Sequence, residues 1–544
     1  MPTFITNANY AAGIVAVVAS LITVLYKKFP LLGRKGIPLP PGPPACWFWS
    51  NALPTVNIAH ALTDLVREHG PIMSFRQGSQ VIIVIGSIEV YCLYLAVPET
   101  MTKHWSLYQA ATDIMEKEGA SLVDRPRTIA AGEMLSNGMR IVLARSGDQF
   151  RRLRKAVHTH LQPKAAEAYQ DMQREHAMEF VLDMLNDSKN HQKHAHRYAV
   201  SVILRVTYGK SAPTAYTDPE VVRISRVVEH VQAAIRPGAY LVDRVPLLRY
   251  LPGYGKQLDE WHHEELELYT HQLRRVKSEM DQNIAGSSFT KTLLENTERH
   301  QLSTDEMSYL AGSLFTAGSD TESHATHEPP QTYSFLAQTA VGITAMIMAA
   351  ACHPLAQAKV HEELDTVIGS DRAPTFQDSS SLPQLHAFLL EALRWRPIVR
   401  IGFPHRATKD VFWQGYCIPE GAIVYGCHWT LSRDPIAFPD PENFNPQRWL
   451  DSEGRLKDSM KFVVYGFGRR VCPGLHLANQ SLYITLALLL WSFRIAQRPD
   501  APIDTHAFSD VVISHAAPFE IDVIPRMKAA KLREMMMMTN GRMD

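Results

Sequence analysis

The segment that most restricts what this chain can become is Tyr465-Gly466-Phe467-Gly468-Arg469-Arg470-Val471-Cys472-Pro473-Gly474, set immediately before a helical run over Leu475–Trp491. Glycines at 466 and 468 let the backbone approach something large and flat. Pro473 suits the first turn of the following helix, which puts Cys472 just ahead of a helix N-terminus. There the free N–H groups and the helix dipole favour a thiolate. A lone cysteine is ordinarily a small core hydrophobe, but this setting suits a metal ligand. A thiolate on heme iron pushes electron density onto the metal and favours O–O cleavage. A phosphate-binding glycine loop fits poorly, because Val471 stands where a third glycine is needed.

The other five cysteines (Cys46, Cys92, Cys352, Cys417 and Cys427) form no CxxC pair. Six in 544 residues are too few for a disulfide scaffold and exclude a zinc ribbon. The 55 basic residues balance 55 acidic ones, which argues against a dedicated nucleic-acid binder. With 46% apolar residues the chain can bury a large core. Length alone suggests three or four domains. Yet no internal repeat and no Gly/Ser linker divides the body. From about residue 55 to 400 the apolar spacing is mostly helical, interrupted by β-like pieces such as Val81–Ile85 and Ile401–Tyr425. The expected fold is mainly α with a minor β part.

Met1–Tyr26 contains no charged side chain, and Tyr10–Tyr26 is nearly all apolar. That run gives roughly 25 Å of helix, the short end of a membrane span. Positive charge follows it, at Lys27, Lys28, Arg34 and Lys35, where a cleaved signal peptide would carry it in front. The expectation is an anchor and basic stop over residues 1–36, with the bulk of the chain in the cytoplasm. Five prolines among Ile37–Pro44 form a stiff hinge at the start of a body reaching residue 527. Residues 528–544 read as a loose tail.

The cysteine loop resembles the heme-binding loop of the cytochrome P450 family, FxxGxRxCxG, at Gly468, Arg470, Cys472 and Gly474, with Tyr465 in place of Phe. Other family elements follow in order along nearly the whole chain, so the resemblance implies the cytochrome P450 fold preceded by a transmembrane helix. It makes Cys472 the axial ligand of heme b, with Gly468 and Gly474 shaping the loop and Arg470 paired with a propionate. Phe150 and Arg154 match a WxxxR pattern with Phe for Trp, and Arg154 is implied as a second propionate partner. Pro404-His405-Arg406 offers His405 as a third. Glu391 and Arg394 form the ExxR pair, at i and i+3 on one helix face, and Arg448 completes a structural triad. An isolated pair of this kind is usually a solvated contact worth little. Buried, it would hold the cysteine loop in place.

Ala317-Gly318-Ser319-Asp320-Thr321 resembles the family's oxygen-binding helix, which makes Asp320 and Thr321 the implied catalytic pair that relays protons. Read alone, Ser-Asp-Thr is a helix cap. The family continues helically from here to His353-Pro354, and Ala340–Ala351 supplies that continuation. Between them an apparent insertion, about residues 327–339, holds Pro329 and Pro330. Each interior proline costs a helix about 3 kcal/mol, so the helix is expected to break or loop out. A true outward bulge and translated intron sequence are the two explanations.

The resemblance further implies electrons from NADPH through NADPH-cytochrome P450 reductase, with cytochrome b5 as a second donor. Arg151, Arg152, Arg154 and Lys155 are the expected reductase-steering face. The segment from Arg236 to Pro252 resembles the loop that touches the bilayer. Residues after Arg127, Leu314–Thr321, Val399–Phe403 and Val511–Ser514 are the expected pocket lining, suited to a lipophilic substrate. His191, His194, His196 and the His262-His263-Glu264-Glu265 run have metal-like spacing, but 24 histidines make such clusters common. The function implied is a membrane-anchored monooxygenase of the endoplasmic reticulum, single-pass with its catalytic domain cytoplasmic. Its substrate would be terpenoid, polyketide or steroid-like, in fungal secondary metabolism or xenobiotic oxidation. The rivals are an isomerase or dehydratase of the same fold that needs no O2, and a non-catalytic product of the interrupted helix.

Overall fold

A computed structural model describes residues 36–44, 50–51, 53–54, 57–78, 80–86, 107–210, 219–236, 238–318, 338–457, 464–509 and 513–538. The anchor segment, Asp320, Thr321 and the two prolines of the insertion lie outside them. Among the described residues no single helix is long and apolar enough to cross a membrane.

The principal helices are α1 (Ile58–His69), α2 (Asp148–Leu161), α3 (Gln170–Asn186), α4 (His191–Tyr208), α5 (Pro219–Ile235), α6 (Lys256–Asp281), α7 (Thr304–Gly318), α8 (Gln338–Cys352), α9 (Pro354–Val367), α10 (Pro383–Trp395), α11 (Leu475–Ser492) and α12 (Ala529–Met538). A helix apolar on every side has to be central. That is where α8 and α11 lie: Ala340–Ala351 and Leu482–Ser492 are almost wholly buried. The helices α3, α4, α7 and α10 pack around them in one continuous core.

Among the described residues the minor β part is a four-stranded sheet and two two-stranded antiparallel pairs. Strands β1 (Ile72–Gln77), β2 (Gln80–Ile85), β3 (His405–Arg406), β4 (Val411–Trp413), β5 (Tyr416–Ile418), β6 (Ile423–Gly426), β7 (Phe493–Gln497) and β8 (Ile521–Pro525) follow chain order. The sheet runs β1-β2-β6-β3, with β2 and β6 parallel in the register Ile82↔Ile423, and β4–β5 and β7–β8 pair separately. Strand β3 carries His405 to the cavity described below.

The stiff proline hinge is docked on the body: the Ser74 hydroxyl donates to Pro40 O at 2.6 Å, and the amides of Ser74 and Cys417 donate to Pro41 O and Pro38 O. A Cβ on Gly42 would stand 1.9 Å from Ser74 O, so only glycine permits that approach. Of the expected C-terminal tail, Ala529–Met538 is not loose but helical. Leu532 and Met536 of α12 are fully buried, and α12 packs on α3.

Candidate active site

Cys472 and Arg470 come from the loop that ends α11 at its N-terminal side, and they line a cavity of about 300 Å³. The loop is closed by the Cys472 amide, which donates to Tyr465 O at 2.9 Å. Its turns need positive φ at Gly466 (+82°) and Gly468 (+53°). At Gly468 a Cβ would also meet Met115 O at 2.9 Å, so the loop is pinned against the 112–119 segment. Gly474 has an ordinary φ of −90°, and a Cβ added there would meet Cys472 Sγ at 3.9 Å, ordinary van der Waals contact. Tyr465 directs its hydroxyl to Asn479 Oδ1 at 2.6 Å. Burial pushes the Cys472 thiol up, against the opposing pull of the Gly474 amide and the Arg154 charge. A coordinated metal would reverse that, since a thiol that binds one is deprotonated outright.

The floor of the cavity is cationic. Arg470 Nε donates to Val123 O at 2.7 Å and Nη2 to Ala144 O at 2.8 Å, while its guanidinium lies 3.5 Å from the centre of the Phe150 ring. Phe150 is thus a platform for Arg470. Arg154 Nη2 donates to Val471 O at 2.6 Å, tying α2 to the cysteine loop. Arg125, which the sequence reading passed over, donates to the carbonyls of Val142, Phe403 and Pro404. Desolvation lowers all three guanidinium groups, Arg125 to about 10 and Arg470 to about 9. Among the described residues none of the three has a carboxylate within 4 Å. The nearest acid, Asp124, is bound to Arg145 and Arg406 at 3.1 and 3.0 Å.

Two buried cations, Arg125 and Arg470, and the half-buried Arg154, answered only by carbonyls, are costly alone and suit a dianion. Beside a cysteine sulfur and a cavity, they fit the two carboxylates of heme b. His405 fits less simply. Its Nδ1–H donates to Leu122 O at 2.7 Å, and burial with the neighbouring Arg125 holds its pKa near 3. Only Nε2 can then face a ligand, and it can donate to a carboxylate only if the anion's own charge protonates the ring. His428, also missed from sequence, lines the same cavity, with Nδ1 bound to Val399 O at 2.9 Å.

Above the floor the walls are apolar, from Val202, Ile203 and Val206 of α4, Val231 and Ile235 of α5, and Leu314 of α7. Val399 and Phe403 line the cavity as expected, whereas the loop after Arg127 contributes only from Arg140 to Leu143. Ser514 is buried elsewhere. Of the expected long helix the described residues give two stretches, α7 as far as Gly318 and α8 from Gln338. Ser313, Ala317 and Thr339 all reach the cavity, from both sides of that interval.

The triad closes as expected. Arg394 grips Glu391 with two bonds of 2.8 Å, Arg448 Nε reaches Glu391 Oε1 at 3.1 Å, and Trp449 Nε1 adds a bond of 2.9 Å. Glu391 is fully buried. The remaining arginine protons go to carbonyls of Ser432, Pro439, Asp440, Pro441 and Asn443.

The expected basic face is split. Arg154 turns inward, Arg152 pairs with Glu306 at 3.3 Å, and only Arg151 and Lys155 stay exposed. The histidine runs go to packing and backbone: His191 is buried against Phe519, His194 bonds Asp187 O, and His262 bonds Leu135 O.

With this geometry in hand, the comparisons are specific. The sequence profile described as Cytochrome P450 matches residues 89–327 and 337–523. It leaves out 328–336, inside the segment that carries Pro329 and Pro330. Cytochrome P450 monooxygenase 64 of Postia placenta is 45% identical over 490 residues, covering 90% of this chain and 92% of its own. Cytochrome P450 monooxygenase 113 of the same fungus is 44% identical over 91% of this chain and 92% of its own. A cytochrome P450 monooxygenase of Armillaria gallica is 31% identical over 95% of both.

Proposed function

The chain belongs to the cytochrome P450 family and is a monooxygenase of that family, and we propose that it oxidises a lipophilic small molecule, with electrons delivered from NADPH by a membrane-bound reductase. The observation that carries this reading is the convergence of Cys472 with the unpaired cations Arg125, Arg154 and Arg470 on one apolar-walled cavity. Heme b, bound there, supplies the activation of dioxygen and the insertion of one oxygen atom.

The rest falls to the chain. Cys472 offers its sulfur from a loop whose backbone bond to Tyr465 and contact with Met115 fix its height. The three guanidinium groups hold the propionates, and Phe150 keeps Arg470 flat. The apolar walls from α4 and α5 exclude water and select a substrate by shape and hydrophobicity. Asp320 and Thr321, next along from Ala317, are the proposed proton donors to the oxygen side. Residues 1–36 are proposed to anchor the enzyme in the endoplasmic reticulum with the body in the cytoplasm, so that substrate enters from lipid. Arg151 and Lys155 are the proposed contacts for the acidic face of the reductase. Terpenoid, polyketide or steroid-like compounds of fungal secondary metabolism suit such a cavity.

The test is the spectrum of the reduced, CO-bound protein, followed by turnover with reductase and NADPH. A thiolate-type Soret band that disappears in Cys472→Ala is expected. Its absence from the folded, heme-containing wild-type chain would overturn the reading. Thr321→Ala should keep the band but lower product formed per O2 consumed.

A further inference from the structure

A second hollow, of about 490 Å³, lies away from Cys472 between α1, the ends of α8 and α10, and the segments holding Trp429 and His506. Its floor is the buried Trp429 indole, around which cations gather. The guanidinium of Arg433 lies 3.3 Å from the ring centre and that of Arg396 5.7 Å away, with Arg396 also 3.8 Å from Trp395. The His60 ring is 4.7 Å from Trp429 and 6.1 Å from His506.

Arg396 and Arg433 are 2% and 1% exposed, yet little negative charge answers them. Arg396 donates only to Thr505 O, Trp395 O and Thr505 Oγ1. Among the described residues no carboxylate comes within 4 Å of it. Arg433 has Glu442, at 3.0 Å, but that side chain is 58% exposed. The other acid at the hollow, Asp64, is taken by Arg67 at 3.2 Å. Burial, aided by the charges of neighbouring arginines, holds both guanidinium groups down to about 9.

We propose that this hollow binds a phosphate-class oxyanion, gripped by Arg396 and Arg433, with His60 and His506 at its mouth. A guanidinium fork matches phosphate geometry and is less heavily hydrated than an ammonium. The hollow, about 490 Å³ against about 30 Å³ for one water in the liquid, has room beyond a phosphate group. The ligand proposed is accordingly a phosphate ester, either soluble or the headgroup of an anionic phospholipid.

Calorimetry on the full-length, heme-loaded protein separates these. Glycerol 3-phosphate is titrated against a sodium chloride control of equal ionic strength. In a second arm, phosphatidylcholine vesicles are compared with and without phosphatidic acid. We expect one saturable site with a Kd below about 1 mM, or phosphatidic-acid-dependent binding if the headgroup is the ligand. Arg396→Gln should weaken either at least tenfold. Glu442→Gln should tighten it, because it removes the acid competing for Arg433, a gain that misfolding cannot produce. The Soret band should be unchanged throughout. No saturable binding above the controls in both arms, or equal binding by wild type and both variants, would overturn the proposal.

Discussion

Arg125, Arg154 and Arg470 each spend their hydrogen bonds on backbone carbonyls while their charges stay unanswered, and this fixes what the cavity must receive. A charged hydrogen bond contributes about 1.5–3 kcal/mol, or about 10- to 100-fold in affinity. Arg125→Gln is therefore expected to speed heme transfer to excess apomyoglobin by that order, with the CO band position unchanged because Cys472 is untouched. A transfer rate equal to wild type would remove Arg125 from the site. Cys472, Arg470 and Gly468 were legible beforehand because their spacing is fixed inside one loop. Arg125 was not: it sits in Asp124-Arg125-Pro126-Arg127 beside Arg127, which ends on the surface with Glu133. Only the closing of the 403–404 segment over Arg125 separates the two. His405 was legible as a cavity residue, but its bond to Leu122 O depends on a partner 283 positions away.

At the scale of elements, Glu391 joins α10 to the 439–449 segment, and four N–H groups from three side chains plus the Asn445 amide converge on its two oxygens. Removing one partner of a buried ion pair costs about 3–5 kcal/mol, because the other charge is left without compensation. Glu391→Gln is thus expected to lower the yield of heme-loaded protein sharply, and a normal urea midpoint for this variant would contradict a structural triad. Its i, i+3 spacing was readable; its burial, which turns a weak surface pair into a tie, was not.

The interval between α7 and α8 makes the second element-scale case. Ser313 and Ala317 line the cavity four residues apart, Thr321 continues that row, and Thr339 lines the same cavity at the start of α8. Joining Thr321 to Thr339 by deleting 322–338 keeps these residues on one helix and removes both prolines, each worth about 3 kcal/mol. The shortened protein should show more thiolate-type CO band per polypeptide. A smaller band would mean that the native chain carries the segment as an outward bulge and needs it. The prolines make a break between the two stretches an expectation of the sequence, and this deletion tests it. The docked hinge and α12 were not legible beforehand, because composition cannot show which face finds a partner.

The whole molecule carries a pH liability that its zero net charge conceals. Burial lowers His191 and His428 to about 4 and His196 to about 3; two of them lie on α4 and the third at the heme cavity, so the effect is not confined to one site. Unfolded, a histidine titrates near 6.5. Between that value and about 4 the unfolded chain binds protons that the native chain refuses. The stability these residues contribute is therefore complete above pH ~6.5 and is lost as pH falls towards their folded values. Each fully titrating histidine contributes a slope of about 1.4 kcal/mol per pH unit. Glu179, held down to about 2 by His176 and Arg197 against its own burial, loses its contribution only in far stronger acid. Acid unfolding should thus begin with the histidines. Urea unfolding between about pH 7 and pH 5 should show a falling free energy at constant m, with more than one proton taken up per molecule unfolded. A flat profile across that range would mean these imidazoles are charged in the native state. His428→Gln, at the heme cavity, should remove only part of the slope, leaving the share of His191 and His196 on α4.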